Sequence, residues 1–336
     1  MTVTILTGDC RSLLAAMPDQ SVHCCVTSPP YFGLRDYGVA GQIGLEPTPD
    51  AFVAEMAAVF REVRRVLRDD GTLWLNLGDS YNSGPSGGLG GSTLGGGQDN
   101  QAKSNRAWRN GSGRADGVVD DRAQRNRNGI AAAGLKPKDL IGIPWRVAFA
   151  LQSDGWYLRQ DIIWSKPNPM PESVTDRCTK AHEYMFLLSK SARYFYDAEA
   201  IAEPFVDERM GASGVTIGVP EQYANAAGRG GDQGLEKFNG AGRAGRNRRS
   251  VWTVATQPFK EAHFATFPPD LIEPCIKAGC PNGGTVLDPF GGAGTTGLVA
   301  DRLGRNAVLM ELNPEYAAMA RRRIEGDAGM FAQVAQ

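Results

Sequence analysis

Short apolar runs alternate along the chain with longer stretches whose apolar residues recur every three or four positions. The short runs predict buried β-strands at residues 3–7, 22–27, 72–77, 156–164, 285–288 and 306–311. The longer stretches predict helices at residues 10–16, 50–68, 143–153, 268–278, 294–303 and 314–324, and the spacing at 50–68 is that of an amphipathic helix. Strands and helices therefore alternate, which predicts an α/β fold with a mixed, mostly parallel sheet and helices on both faces.

Particular residues set the expected ends of these elements. Asp9 is placed to cap the first helix, because its carboxylate can accept a hydrogen bond from a free N–H of the first turn. The Asp-Asp-Gly sequence at 69–71 is expected to end the second helix before the next strand. Residues 182–188 and 193–197 are predicted to form an antiparallel pair of strands.

Two stretches break this alternation. Residues 82–134 and about 207–249 are rich in Gly and Arg and offer few apolar side chains to bury, so we predict flexible insertions there. The 336-residue chain has a formal net charge of −1, which is weak evidence against a nucleic-acid partner. Arg and Lys are nevertheless concentrated in these two stretches, and this local positive charge matters more than the total.

Cysteine and histidine usage narrows the class of protein. The six cysteines include no Cys-x-x-Cys pair and the chain has three histidines, so neither a structural zinc site nor a disulfide framework is expected. Cys24 and Cys25 lie on an apolar run, where cysteines usually act as small buried apolar residues. No apolar run reaches 18 residues and the N-terminus lacks a secretory signal pattern, so we expect a cytoplasmic location without a membrane partner.

A glycine turn follows the strand predicted at 285–288. The segment reads Thr-Val-Leu-Asp-Pro-Phe-Gly-Gly-Ala-Gly-Thr-Thr-Gly, and such a strand–turn–helix unit lets a ligand approach the backbone and the helix N-terminus. Three of its glycines satisfy the pattern G-x-G-x-x-G, with Glu311 at the end of the next strand, so a nicotinamide-dependent oxidoreductase is one interpretation. Asp288 argues against it, because a carboxylate there would repel a pyrophosphate and attract a cationic ligand.

A second candidate segment, Thr27-Ser-Pro-Pro-Tyr-Phe32, directly follows a predicted buried strand. The two prolines fix the backbone and lack N–H donors, which leaves carbonyl groups free to accept hydrogen bonds. Ser28 adds an acceptor and Tyr31 adds an aromatic face for stacking. A rigid set of acceptors beside an aromatic ring suits a planar base that carries an amino group. An ordinary Pro-Pro turn with an anchored tyrosine is the alternative for this segment alone.

Taken together, Ser28-Pro-Pro-Tyr31 and Asp288-Pro-Phe-x-Gly-x-Gly294 resemble the catalytic and cofactor motifs of amino-group DNA methyltransferases, which use S-adenosylmethionine (AdoMet). The catalytic motif precedes the cofactor motif, as in the circularly permuted β arrangement of that family. Thr266-Phe-Pro268 resembles the segment that cradles the methionine end of AdoMet, and Gly8-Asp9 is placed like the acid that contacts its adenine. Trp164-Ser-Lys-Pro-Asn-Pro169 resembles a loop that borders the pocket in these enzymes, without an assigned role here. The resemblance covers most of the chain apart from the two Gly/Arg-rich stretches. It implies a Rossmann-like AdoMet-dependent methyltransferase fold.

The resemblance also implies a division of the chain. Residues 1–81 and 135–200 would form the catalytic half of the core, and residues 259–336 the AdoMet-binding half, with residues 82–134 as an insertion. Residues 201–258 lie where this family usually keeps its target-recognition region. Four arginines in this region are candidates to contact phosphates or guanine edges of double-stranded DNA: Arg243, Arg246, Arg248 and Arg249. A solvated flexible loop is the alternative for each of these arginines.

By resemblance, the target base is flipped out of the duplex into a pocket beside the Ser-Pro-Pro-Tyr turn. Tyr31 would stack on the base, while Ser28 and the Pro29 carbonyl would orient its amino nitrogen toward the sulfonium methyl of AdoMet. The implied catalytic residues are Ser28, Pro29, Pro30 and Tyr31. The implied cofactor-binding residues are Asp9, Thr266, Phe267, Asp288, Phe290, Gly292, Gly294, Thr295, Thr296 and Glu311. No metal ion or covalent intermediate is needed.

The target atom follows from the first residue of the catalytic motif. A serine there resembles the form common in cytosine-N4 enzymes, so we favour cytosine N4 and keep adenine N6 as the alternative. A ring-carbon cytosine enzyme would need a catalytic cysteine, and Pro274-Cys275 is instead expected inside a helix of the cofactor half. A non-catalytic DNA-binding relative and an RNA substrate stay open, as do a homodimer, a separate cognate restriction endonuclease, and a prokaryotic or phage-encoded origin.

Overall fold

A sheet of nine strands organises the described part of the chain. The structure, a computed structural model, describes residues 1–34, 38–82, 134–204, 245–257, 267–328 and 333–335. The strands are β1 (Thr2–Thr7), β2 (Val22–Thr27), β3 (Leu67–Leu77), β4 (Tyr157–Ser165), β5 (His182–Ser189), β6 (Val251–Thr253), β7 (Thr285–Asp288), β8 (Asn306–Glu311) and β9 (Gln333–Ala335). The helices are α1 (Cys10–Ala16), α2 (Pro49–Val66), α3 (Ile143–Ser153), α4 (Pro269–Gly279), α5 (Thr295–Arg302) and α6 (Pro314–Ala328).

The chain separates into two compact units. The larger unit contains Met1–Tyr196 and Ser250–Gln336, and with them all of these strands and helices. The smaller unit is Asp197–Arg249. The insertion expected at 82–134 and most of the stretch expected at 207–249 lie outside the described residues, and the five-part division of the chain stays a prediction.

Helix α2 illustrates how the apolar spacing becomes packing. The Thr48 hydroxyl accepts a hydrogen bond from Ala51 N (3.1 Å) and caps the helix, and a proline fits the first turn, where no N–H partner is required. Its apolar face is fully buried: Phe52, Met56, Val59, Phe60, Val63 and Val66. The helix ends at Val66, before the Asp-Asp-Gly sequence that was expected to end it, because β3 already begins at Leu67.

The sheet is mixed and mostly parallel, with strand order β6-β4-β5-β3-β2-β7-β8-β1-β9. Strands β3, β2, β7, β8 and β1 run parallel to one another, and β5 runs antiparallel to both β3 and β4. Helices α1, α2 and α3 pack in one group, and α4, α5 and α6 in another. In the part of the chain that the structure describes, no helix is long and apolar enough to cross a membrane.

The permuted motif order is visible in the sheet. Strand β1, at the N-terminus, pairs in parallel with β8 near the C-terminus, with Val3 opposite Ala307 and Thr7 opposite Glu311. The Gly8 N–H also donates to the Glu311 carbonyl oxygen (2.9 Å) just beyond this ladder. The two ends of the chain therefore build one continuous sheet, as the resemblance implied.

The prediction of a strand at 193–197 is wrong. Strand β5 already has β3 on one side and β4 on the other, so neither of its edges is free to pair with a hairpin partner. The segment runs outside the sheet instead, and its Phe195 N–H donates to the Asp70 carbonyl oxygen (2.9 Å). The three-residue strands β6 and β9 were not predicted, because a run that short carries no readable alternation.

Candidate active site

The carboxyl ends of five parallel strands meet at one edge of the sheet. Connections from β2 and β7 lead in opposite directions, since β2 is followed by its neighbour β3 and β7 by its neighbour β8. A ligand crevice is expected where the direction of connection reverses, at the carboxyl ends of the strands. Here that point lies between Thr27, the last residue of β2, and Asp288, the last residue of β7.

The two sequence motifs are joined directly at this point. The Thr27 hydroxyl donates to Asp288 Oδ1 (2.6 Å), and both side chains are buried. The Ser-Pro-Pro-Tyr turn follows Thr27 immediately, and the Pro-Phe-Gly-Gly turn follows Asp288. Segments separated by 261 positions in the sequence therefore share one edge of the sheet.

Asp288 is enclosed by protein donors. Besides the Thr27 bond, Oδ1 accepts from Phe290 N (3.0 Å) and Oδ2 accepts from the Thr296 hydroxyl (2.6 Å), and the side chain is 1% exposed. Burial raises the pKa of Asp288, and the three hydrogen bonds act in the opposite direction. The direct partners of this carboxylate in the protein are the end of β2, its own turn and the first turn of α5, and its assignment to the cationic groups of a cofactor stays a prediction.

The glycine turn is shaped by close packing. A Cβ at Gly291 would come within 3.1 Å of Leu309 Cβ, so the backbone packs closely against β8, which would have to shift slightly to admit a side chain. Gly294, the residue before α5, has a left-handed backbone (φ +76°) and would place a Cβ 2.8 Å from Ala320 Cβ. Gly292 has φ +51°, yet a Cβ there would face almost open space. The turn is thus anchored from behind and open at Gly292.

Replacing Gly294 with alanine is expected to lower the free energy of unfolding by about 1–3 kcal/mol, because the new methyl group meets α6 and the backbone conformation disfavours a side chain. Urea denaturation measures the change. Gly326→Ala is the matched control, since Gly326 lies exposed in α6 with nothing within 4 Å, and it should stabilise by roughly 0.5–1 kcal/mol. Equal effects of the two substitutions would refute the packing argument.

Two more carboxylates lie at the ends of neighbouring strands. Glu311, at the end of β8, accepts from Gly292 N (2.8 Å) and Asn313 N (2.8 Å), and burial raises its pKa. Asp9 follows β1 and caps α1 through Arg11 N (2.9 Å), as expected. The Arg11 guanidinium also binds Asp9 (Nη2–Oδ2 2.5 Å), and this hydrogen bonding lowers the pKa of Asp9. Asp9, Asp288 and Glu311 therefore line one edge of the sheet.

The Ser-Pro-Pro-Tyr turn lies beside a small surface depression at the end of β3. Pro29 is buried, whereas Ser28, Pro30 and Tyr31 are partly exposed. Tyr31 is the residue of the turn that borders this depression, whose lining is Tyr31, Phe32, Leu34, Gly78, Asp79, Ser80 and Ile143. The Tyr31 hydroxyl donates to Glu183 Oε2 (2.7 Å), so the ring is held by its far end.

The positions of several polar residues around this turn were not predicted from the sequence. Asn76, near the end of β3, donates from Nδ2 to Glu183 Oε2 (3.2 Å), and Glu183 is paired with Lys166. Asp79 caps α3 by accepting from Gly142 N (3.0 Å), and burial raises its pKa. Of these, Lys166 alone carried a signal, because it lies in the Trp-Ser-Lys-Pro-Asn-Pro segment that resembles a pocket-bordering loop of the family.

The remaining predicted residues fall into three groups. Phe290, Thr295 and Thr296 lie in the glycine turn or at the start of α5, beside Asp288, and Phe267 lies two residues before α4. Thr266 and Arg243 lie outside the described residues. Arg246, Arg248 and Arg249 belong to the smaller unit.

Two of these arginines share a carboxylate within the smaller unit. Arg246 and Arg249 both pair with Glu203 (Nη2–Oε2 3.2 Å and Nε–Oε2 3.0 Å), and Glu203 and Arg246 also form an antiparallel bridge. Arg249 is nevertheless largely exposed, with 70% of its side-chain surface accessible. A partly neutralised but accessible guanidinium can still reach a phosphate, so their assignment to DNA stays a prediction.

Neither a metal centre nor a nucleophilic thiol is found near this edge in the described ranges. Within them, no group of three or more His, Cys, Asp or Glu residues could hold a metal ion. Cys275 lies inside α4 and is fully buried, as expected. Cys24 and Cys25 are also fully buried, and burial raises the pKa of each thiol well above its ordinary value. These cysteines therefore pack as apolar residues.

Comparison with known proteins identifies relatives along nearly the whole chain. The profile of a DNA methylase family, the N6/N4 methylases, matches residues 22–322. Type II methyltransferase M.XycI of Xanthomonas campestris pv. cyanopsidis is 46% identical over 99% of this chain and 91% of its own length. Type II methyltransferase M.SmaI of Serratia marcescens is 45% identical over 95% of this chain and 90% of its own length.

Two solved structures share the fold. PvuII DNA methyltransferase, described as cytosine-N4-specific, superposes with a TM-score of 0.58 at 18% identity, over 96% of this chain and 87% of its own. A Thermus thermophilus protein in complex with S-adenosyl-L-methionine has a TM-score of 0.55 at 23% identity, over 99% of this chain and 100% of its own. The family profile and the two Type II relatives cover both the Ser-Pro-Pro-Tyr turn and the glycine turn, and the chain therefore belongs to the amino-group (N6/N4) DNA methyltransferases.

Proposed function

We propose that this Type II DNA methyltransferase methylates the N4 amino group of a cytosine that is flipped out of the duplex and bound beside Ser28–Tyr31. The hydrogen bond between Thr27 and Asp288 carries the proposal, because it brings the base-binding turn and the cofactor turn to one point of the sheet. Membership of the family excludes the nicotinamide-dependent alternative raised by the glycine pattern.

AdoMet is the methyl donor of this family, and the residues present suit it. The open backbone at Gly292 leaves space beside the turn, and the carboxylates of Asp9, Asp288 and Glu311 give the edge a negative charge that favours a cationic ligand. Glu311 is already fixed by two backbone N–H groups, so it can orient toward ribose hydroxyls at small entropic cost. When bound, AdoMet supplies a methyl group on a positively charged sulfur.

The base-binding turn supplies acceptors and a stacking face. Pro29 and Pro30 have no N–H, so the carbonyl of Pro29 and the hydroxyl of Ser28 can accept hydrogen bonds from an exocyclic amino group. Tyr31 is partly exposed and its hydroxyl is engaged by Glu183, so the orientation of its ring is set before a base stacks on it. Positioning of the amino nitrogen is the main contribution of these residues, because the methyl group is activated by its own sulfur.

Cytosine N4 is favoured over adenine N6 by the serine at position 28. A serine hydroxyl at the start of this motif resembles the form common in cytosine-N4 enzymes. The PvuII enzyme, whose described specificity is cytosine N4, shares the fold of this chain. Adenine N6 is the other outcome of the experiment below.

The proposed partners follow from the family and from local charge. Double-stranded DNA is the substrate, and we assign phosphate or guanine contacts to the arginines of the smaller unit that were predicted from sequence. The Type II relatives are bacterial, which supports a cytoplasmic location in a prokaryotic cell. A separately acting restriction endonuclease and a homodimer stay predictions.

One experiment tests both the activity and the target atom. The chain is expressed in a host that lacks DNA methylation, and its DNA is sequenced with modified-base detection. N4-methylcytosine at a defined sequence is the expected result. N6-methyladenine would overturn the choice of base while keeping the class of enzyme, and unmodified DNA together with no methyl transfer in vitro would overturn the function.

A further inference from the structure

A buried ion pair lies directly behind the tyrosine of the catalytic turn. Glu183 and Lys166 are paired through Oε1 and Nζ, and their side chains are only 4% and 6% exposed. The other carboxylate oxygen of Glu183 accepts the hydrogen bond from the Tyr31 hydroxyl (2.7 Å). The methyl transfer proposed for the site does not require this ion pair. Glu183 nevertheless binds Tyr31, the residue proposed to stack on the base.

Each partner of Glu183 is itself held in place. The Lys166 ammonium lies 4.2 Å from the centre of the Trp164 ring, a distance at which a cation is attracted to an aromatic face. Asn76 donates from Nδ2 to Glu183 Oε2 (3.2 Å) and to the Tyr184 carbonyl oxygen (3.1 Å). Glu183 is therefore a fixed acceptor rather than a mobile surface carboxylate.

The topology of the sheet explains how residues distant in sequence meet here. Strand β5 is antiparallel to β3, so Glu183 near its start lies at the same edge as Asn76 near the end of β3. Strand β4 is antiparallel to β5, so its carboxyl end, followed by Lys166, reaches the same edge. The antiparallel half of the sheet thus supplies the support for a turn built on the parallel half.

We propose that Glu183, held by Lys166, is a positioning residue that fixes the Tyr31 ring in the orientation needed to stack on the flipped base. The inference rests on the proposed role of Tyr31 in base stacking. A tyrosine in a turn gains a single ring orientation when its hydroxyl is bound by a rigid acceptor, and small errors in base placement lower the rate of transfer steeply. Glu183 acts through Tyr31 and does not touch the base.

Two double variants separate the acceptor from the ion pair. Lys166→Met/Glu183→Gln removes both buried charges but leaves an amide oxygen that can accept from Tyr31. Lys166→Met/Glu183→Leu removes the same charges and this acceptor, which leaves the Tyr31 hydroxyl only the longer contact to Asn76 Oδ1 (3.3 Å). Both avoid an unpaired buried charge, which would by itself destabilise the protein. Thermal denaturation confirms that each is folded, and calorimetry confirms that AdoMet binding is unchanged.

Single-turnover methyl transfer is measured on a duplex that contains the target site identified by sequencing. The Gln variant should stay within about threefold of wild type, whereas the Leu variant should lose roughly tenfold or more in rate. In a Tyr31→Phe background, which has no hydroxyl to position, the difference between the two should fall below about twofold. Glu172→Gln is the matched control, since Glu172 is a similarly buried carboxylate whose ion-pair partner is Arg177.

Equal rates for the Gln and Leu variants would overturn the proposal, and so would a difference that persists with phenylalanine at position 31. If the Leu variant does not fold, Tyr31→Phe alone decides, because it should lose about the same tenfold while a full rate would contradict the role of the hydroxyl. Wild-type protein without methyl transfer to DNA would refute the proposed function itself. An active wild type with indifferent variants refutes this inference alone.

Discussion

Replacing Asp288 with alanine is expected to reduce methyl transfer to DNA by about a thousandfold or more, equivalent to roughly 4 kcal/mol. The buried hydroxyls of Thr27 and Thr296 and the partly buried N–H of Phe290 lose their common acceptor. A buried donor without a partner costs about 1–3 kcal/mol, so the free energy of unfolding should also fall by a few kcal/mol. The two turns then lose the bond that sets their spacing.

Transfer of a tritiated methyl group measures the activity, and urea denaturation measures the stability. Asp288→Asn is the matched control. Its amide oxygen can still accept from Thr27 and Phe290, and the Thr296 hydroxyl can turn toward the Val26 carbonyl oxygen, which lies 3.3 Å away. This variant should stay folded, bind AdoMet about tenfold more weakly because the negative charge is lost, and transfer methyl groups at an intermediate rate.

The outcome distinguishes two roles for this carboxylate. If asparagine is as damaging as alanine, the charge of Asp288 dominates and its hydrogen bonds are secondary. If alanine retains a near-normal rate, the Thr27–Asp288 bond does not define the active site and the proposed function loses its main support. If the asparagine variant transfers methyl groups at an intermediate rate, the Asp288 carboxylate has both roles: its hydrogen bonds align the two turns, and its charge favours the cofactor.

Much of the core was predictable because its elements carry a local signal. Strands β1, β2, β7 and β8 are short buried runs, and their predicted bounds differ from the observed ones by no more than one residue at either end. The cap at Asp9 was predicted from residue type alone and is present. The parallel order also placed the two motifs at one edge, because carboxyl ends of parallel strands lie together.

The strand that was predicted wrongly and the contacts that were not predicted depend on pairings that no local pattern encodes. The strand predicted at 193–197 has a β-rich composition, but both edges of β5 are occupied by strands distant in sequence. Thr27 lies directly before the Ser-Pro-Pro-Tyr motif, and its bond to Asp288 follows only from the register of β2 and β7. The charge of Asp288 is visible in the sequence and predicts a cationic ligand, whereas its three protein donors depend on the fold.

The hydrogen bond between Tyr31 and Glu183 is a further contact that no local sequence pattern predicts. Glu183 lies 152 positions from Tyr31, on a strand whose direction relative to β3 could not be deduced from periodicity. The segment around Lys166 stood out by resemblance, but its chemical partner did not. A motif therefore indicates which residues meet the substrate, while the residues that hold the motif are set by topology.

Replacing Tyr31 with alanine is expected to lower the single-turnover rate by about a hundredfold to a thousandfold. Loss of stacking on a base costs about 1–3 kcal/mol, and the misplaced amino nitrogen adds a further loss of rate. AdoMet binding should change little, since Asp9, Asp288 and Glu311 remain in place. Calorimetry with AdoMet and single-turnover transfer on the identified target site separate these two effects.

Comparison with phenylalanine at the same position divides the loss into its parts. Tyr31→Phe keeps the ring and removes only the hydroxyl that donates to Glu183. Its rate should therefore fall about tenfold, a clearly smaller loss than that of the alanine variant. A fluorescent base analogue next to the target should report weaker base flipping in the alanine variant than in the phenylalanine variant. An undiminished rate in the alanine variant would mean that the base does not stack on Tyr31, because the Ser-Pro-Pro-Tyr turn contains no other aromatic side chain.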